Sequence, residues 1–312
     1  MAHNPGRRTV LAIGMGLILT GCGVRQATND VVQSSAPSVP SPSNPPSTVP
    51  RLTPGEPPPV VPPPVVPPPA GPEPHRLPSR DEIIDRHAGR SPYYWGLEAP
   101  GVVSRIPNGS QGVALTLDFC GGAGGNSFDP DLISGLQRLR VPATLFLNAR
   151  WVADNRPLAA DLADNPLFEL ANHGTDHLPL SVTGNSAYGI PGTADTGSVY
   201  DEIMGNDAVL TALTGQRPRF FRPGTAYFDD VSARICHDLG LIPAGFSVNG
   251  DGGATYPAGA VTTETRAAGP GSIIIAHGNR PGSGTGPGLL QALGVMTDAG
   301  TPFLTLGDAI PA

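Results

Sequence analysis

Gly112-Val113-Ala114-Leu115-Thr116-Leu117-Asp118-Phe119-Cys120-Gly121-Gly122 is the stretch whose reading decides the fold. Residues 113–117 are short, apolar and rich in branched side chains, with glycine at either boundary, and so read as a buried strand. The run ends on one carboxylate, Asp118. A carboxylate at the tip of a buried strand is costly unless it is paired, capping a turn or used in chemistry. Two readings stand at this point: a turn cap, or a reactive group delivered to the edge of a sheet.

Similar runs recur downstream, at 143–147, 168–171, 219–221, 242–248, 272–276 and 303–306. Helical signals separate them. Asp129-Pro130 is an N-cap followed by proline at the first helical position, and Leu132, Ile133, Leu136 and Leu139 then share one helical face. Further helices are expected around 159–162, over 198–213, from Asp229-Asp230 to Leu239, and around 289–296. Strands that alternate with helices need crossover connections, hence a parallel sheet. The expected fold is α/β, a closed or nearly closed (β/α) barrel of about seven parallel strands.

In such barrels the chemistry sits beyond the C-terminal ends of the strands. Asp118 follows the first strand; Asn172, His173 and His177 follow the third, in NHGTDH; Arg222 follows the fourth, in FFRPGTAY. Asn249 and Asp251 follow the fifth, in VNGDGG, and His277 follows the sixth, in IIIAHGN. Carboxylates, imidazoles and a guanidinium thus converge on one rim from distant parts of the chain. His173 and His177 are four apart, which puts both rings on one side of a helical turn if one begins there. Imidazoles are common ligands for zinc and related ions. The spacing alone fits ordinary polar packing as well, but the rim position favours a metal. His87 and His237 lie off the rim. The run from Gly121 to Gly125 lacks the Lys-Ser/Thr of a phosphate loop and reads as a flexible rim loop. Tyr93-Tyr94-Trp95 reads as packing for an N-terminal extension, ahead of sugar stacking.

The chain before the barrel has a different composition. Arg7 and Arg8 precede an apolar run, Val10 to Leu19, too short to span a bilayer, which ends in Leu19-Thr20-Gly21-Cys22. That arrangement resembles a bacterial lipoprotein signal and implies cleavage before Cys22, a lipid anchor on its sulfur, and an extracytoplasmic, membrane-held protein. Between Pro37 and Pro78 lie 19 of the 38 prolines, and no aromatic residue occurs before Tyr93. Such a segment reads as a disordered, semi-rigid polyproline tether, reaching on the order of 100 Å at ~3.1 Å per residue. The expected organisation is a signal peptide (1–21), a Pro-rich linker (22–79), an N-terminal extension (80–111) and one folded domain (112–312). All 19 basic residues are arginine, the formal net charge is −7, and no basic cluster occurs, so nucleic acid is excluded as a partner. With Cys22 assigned to lipid, Cys120 and Cys236 are left; an oxidising compartment favours a disulfide between them, over two buried thiols.

Strand-Asp, His-x3-His, Arg-Pro, Asp and strand-His, in this order over about residues 112–308, resemble the NodB-type polysaccharide deacetylases of carbohydrate esterase family 4. The resemblance implies a distorted (β/α) barrel and a divalent metal, expected to be zinc. It also implies removal of acetyl from N-acetylated sugars of peptidoglycan, chitin or a related glycan. By the same resemblance, Asp118 is the general base, His173 and His177 are metal ligands, Arg222 orients and charge-stabilises Asp118, and His277 is the general acid supported by Asp251. The family's first motif normally carries a second aspartate, a metal ligand, where this chain has Phe119. Gly174 stands in place of a hydroxyl residue, the fourth motif lacks its tryptophan, and the third reads Arg222-Pro223-Gly224-Thr225. With Phe119 unable to ligate, Asp118 is the candidate third metal ligand. Asp176 is not, because adjacent residues on a helical turn point about 100° apart. These departures keep open an alternative, a non-catalytic glycan-binding domain, and a third reading, a metal hydrolase of linear amides.

Overall fold

The computed structural model describes residues 76–107 and 110–310. The expected signal peptide, Cys22 and the tether up to residue 75 lie outside the described residues. Eight strands form the main sheet: β1 (Val113–Phe119), β2 (Ala143–Leu147), β3 (Phe168–Asn172), β4 (Phe220–Phe221), β5 (Ile242–Pro243), β6 (Val248–Asn249), β7 (Ile273–His277) and β8 (Phe303–Leu304). Their lateral order is β5-β4-β3-β2-β1-β7-β6, with β8 beside the start of β1. Every pairing is parallel. The result is a curled half-barrel with seven parallel strands along its path, as the alternation of strands and helices predicts.

Side-chain parity along β1 explains how the sheet is held and what it presents. Successive residues of a strand face opposite sides. Leu115, Leu117 and Phe119 enter one core with Leu132 and Leu136 of the helix Pro130–Leu139, and with Leu289 and Leu293 of the helix Thr285–Asp298. Each buried leucine contributes about 1.5–3 kcal/mol. Ala114 faces the other way, into the concave side of the sheet, with Phe146, Ala171, Phe220 and Ile273. Thr116 and Asp118 share that concave face by parity. Register then aligns the strand ends: Asp118 is opposite His277 across β1 and β7, Leu147 is opposite Asn172 across β2 and β3, and Asn172 is opposite Phe221 across β3 and β4.

One expected strand is two. The run 242–248 divides into β5 and β6, which lie at opposite ends of the sheet. Between them Ala244 and Gly245 cross the concave side, and a side chain at Gly245 would come within 2.6 Å of the Ser104 hydroxyl. Apolar character could not reveal this, because Ile242 and Val248, both partly buried, pack against different core clusters. The extension also packs as expected. Trp95–Gly96 pairs antiparallel with Phe228–Asp229, and the Trp95 ring lies 5.5 Å from that of Tyr227. His87 bonds Asp238 at 2.9 Å and His237 bonds the Gly101 carbonyl at 3.0 Å, both away from the rim.

Candidate active site

Asp118 is 3% exposed, and its side chain bonds an arginine rather than turn backbone. The fully buried Arg222 donates from Nη1 to Asp118 Oδ1 and to Thr116 Oγ1, both at 2.8 Å. Its Nη2 donates to the Gly245 carbonyl at 2.8 Å and its Nε to the Ala244 carbonyl at 3.2 Å. The Phe146 ring closes the remaining side, 4.1 Å from the guanidinium carbon. The break between β5 and β6 therefore has a use: it turns two carbonyls onto Arg222. Burial disfavours charge on Asp118, but Arg222, then His173 and His277, outweigh it and hold the carboxyl below its ordinary range.

His173 and His177 do come together, with ring centroids 4.9 Å apart, but no helix joins them. The turn passes through left-handed backbone at Gly174 (φ 76°) and at His177 itself (φ 61°), which is uncommon for a residue with a side chain. Its brace is the carboxylate of Glu202 on the helix Thr196–Thr214, which accepts from the Asp176 and Leu178 backbone N–H groups at 2.9 and 3.1 Å. Burial pushes Glu202 up to about 7, against those two donors. Gly224 is obligatory here, since a Cβ would lie 2.1 Å from the His177 carbonyl oxygen. His173 is fully buried, and its Nδ1 bonds the Arg222 carbonyl at 2.8 Å. A carbonyl only accepts, so Nδ1 carries the proton and Nε2 is the nitrogen left facing the site. Burial opposes charge on His173 while Asp118 and Cys120 raise its pKa; a metal held there would displace that proton.

His277 lies beside Asp118 and bonds Asp251 through Nδ1, at 3.1 Å to both carboxylate oxygens. Asp251 is fully buried and also accepts from the His277 backbone N–H at 2.8 Å and from Thr285 Oγ1 at 3.0 Å. Burial works against a charged His277, but Asp251 and Cys120 raise its pKa well above the ordinary value. Asn249, on the same rim, accepts from the Gly252 N–H at 2.9 Å. The base, the acid, the arginine and both histidines of the sequence reading are thus together.

Cys120 and Cys236 are not joined: both are free thiols. Cys236 points into the core beneath the helix Asp230–Asp238, whereas Cys120 lies at the rim. One sulfur belongs to packing and the other to the cleft, so the expected disulfide does not form. Cys120 Sγ lies 3.9 Å from His173 Nε2. One donor atom each from Cys120, His173 and His177 falls within 4.8 Å of the others. Two imidazoles and a sulfur suit a zinc-class ion, so the residues fit the metal that the fold implies. Asp118 lies beside that set, not in it: Oδ1 bonds Arg222, while Oδ2 is 3.7 Å from His173 Nε2 and faces the same space. The Asp176 side chain is exposed.

These groups open on a cleft of about 540 Å³ walled by Tyr188, Phe246 and Tyr256. The sequence reading missed those walls, along with Thr116, Glu202 and the contact of Cys120 with His173. Parity was an available signal for two of them, because Thr116 and Cys120 are each two residues from Asp118, one within β1 and one just past its end.

The open parallel half-barrel that carries these groups is similar in fold to solved family 4 carbohydrate esterases. Within it, residues 105–244 match the family model for polysaccharide deacetylase, a span that holds Asp118, His173, His177 and Arg222. Among solved structures, the chain is similar to BA3943 of Bacillus anthracis, described as a family 4 pseudoenzyme, at 23% identity and a TM-score of 0.56, covering 69% of this chain and 70% of that one. It is similar to the Bc1960 peptidoglycan N-acetylglucosamine deacetylase at 20% identity and a TM-score of 0.56, covering 67% and 92%. It is also similar to PdaA of Bacillus subtilis, a family 4 carbohydrate esterase, at 18% identity and a TM-score of 0.54, covering 74% and 88%. At these identities the likeness establishes the fold. A curated relative, the uncharacterized YlxY of Bacillus subtilis, is 26% identical over 106 residues; the match spans 34% of this chain and 30% of YlxY.

Proposed function

We propose that this domain is a metal-dependent deacetylase that hydrolyses N-acetyl groups on a cell-envelope glycan, tethered to the membrane through lipid on Cys22. The observation that carries the reading is the pairing of Asp118 with His277 on adjacent strands, each held by a buried partner of opposite charge beside the histidine pair. Asp118, kept ionised by Arg222, accepts a proton from water as the water oxygen adds to the acetamide carbonyl carbon. His277, kept protonated by Asp251, donates to the departing nitrogen as the C–N bond breaks, leaving acetate and a free amine. His173 and His177 would hold the metal, which when bound acts as a Lewis acid on the amide carbonyl. Tyr188, exposed and edge-on to Tyr227 at 5.4 Å, offers an aromatic face to a sugar ring.

Phe119 in place of the family's second aspartate, and the likeness to a pseudoenzyme fold, favour one rival: a domain that holds glycan without cleaving it. Acetate release from N-acetylglucosamine oligomers, with and without chelator, separates the two. Chelator-sensitive acetate supports the deacetylase. Oligomer binding with no acetate at any metal loading overturns it.

A further inference from the structure

We infer that Cys120 supplies the third protein ligand of the metal, as a thiolate beside the imidazoles of His173 and His177, so that the site is a Cys-His-His zinc centre. The inference rests on the reading above that the histidine pair holds a metal. Phe119 cannot take the role. It is fully buried on the opposite face of β1, with its ring 4.7 Å from that of Trp151, and a Cβ at Gly278 would lie 2.2 Å from its ring. The next residue returns to the face that Asp118 occupies, and there the chain has a sulfur. Ligand distances of about 2.3 Å for sulfur and 2.0–2.1 Å for nitrogen put donors on a tetrahedral zinc about 3.3–3.6 Å apart. The observed 3.9 Å from Cys120 Sγ to His173 Nε2 therefore closes with a shift of a few tenths of an ångström.

The surroundings are those of a ligating sulfur. Cys120 lines the cleft with His177 and His277, and the Nδ1 contact of His173 aims its other nitrogen at the site. The backbone after Cys120 is drawn tightly away from the site: at Gly121, φ is 69° and a Cβ would lie 2.6 Å from the Trp151 backbone nitrogen. Three protein ligands leave a fourth position for water or substrate, as at catalytic zinc sites. Asp118 is then free to remain a base, held by Arg222. A thiolate also shifts preference toward zinc and cobalt and away from harder ions such as manganese and magnesium.

The test uses the full-length chain loaded with cobalt(II) in place of zinc. Sulfur ligation gives an intense sulfur-to-cobalt charge-transfer band in the near ultraviolet. We expect that band in the wild type, its loss in Cys120→Ser, and a fall in zinc affinity of at least the 10–100-fold that weakening a metal's outer support costs. Cys120→Asp should recover metal binding without the band. Zinc should also protect Cys120 from alkylation, read by peptide mass spectrometry. Cobalt bound without the band, no stoichiometric metal in the wild type, or alkylation unaffected by zinc overturns the inference. None of these readouts needs turnover: a wild type with the band but no acetate release would refute only the deacetylase reading, and a Cys120→Ser variant with unchanged zinc affinity and acetate release would refute only the ligand.

Discussion

The rim and the core beneath the helix Asp230–Asp238 treat the same side chain in opposite ways. Cys120, at the rim, sits among His173, His177 and His277; burial favours its neutral thiol, but the histidines outweigh it and draw the pKa well below the ordinary value. Cys236 is fully buried among Phe228, Ile235 and Leu239, where burial raises the thiol pKa with little to oppose it. Counting cysteines treats the two as equivalent partners. Their surroundings set one among imidazoles at the cleft and make the other a small apolar filler.

The comparison predicts that rim changes act on chemistry and core changes on stability alone. The largest effect is expected from Asp118→Asn, which keeps a hydrogen-bond acceptor toward Arg222 but removes the base. Acetate release should fall on the order of 10²–10⁴-fold with bound metal retained. Turnover like that of the wild type would return Asp118 to the role of a structural pair, and loss of metal would make it a ligand.

Arg222→Met crosses the division, since Arg222 is both buried and part of the site. Leaving the buried Asp118 carboxylate unpaired should cost about 3–5 kcal/mol in denaturant unfolding and also lower turnover. Because the folded pKa of Asp118 is depressed, the wild-type advantage should be present above the unfolded value of about 3.9 and fade as pH falls through the lower folded value. A stability difference independent of pH in the acid range would show that Arg222 acts through packing on Phe146.

The smallest effect belongs to Cys236→Ala, a loss on the order of 1 kcal/mol with zinc affinity and acetate release unchanged. A change in either would mean that the helix core and the rim are coupled, and the division would fail.

Much of the site was legible because strand ends carry their own signature. Asp118, His173, Arg222, Asp251 and His277 each follow an apolar run, and a parallel sheet must bring such ends to one edge. The turn at His173–His177 was legible in its partners but not in its shape. The turn is left-handed at Gly174 and His177, and its brace, Glu202, comes from a helix 24 to 26 residues beyond the groups it holds, whereas spacing of four only suggests a helix. The run 242–248 misled for a similar reason, since hydrophobicity reports burial and not which neighbour does the burying.

By itself the sequence determined the parallel α/β architecture and the set of polar groups at its rim, because periodicity and strand-end position are local and follow from backbone geometry. The tertiary structure alone decided which groups touch. Whether Cys120 meets Cys236 or His173, and whether Arg222 is a surface charge or the buried brace of Asp118, depends on contacts between residues 53 and 104 positions apart, whose distances no local pattern encodes.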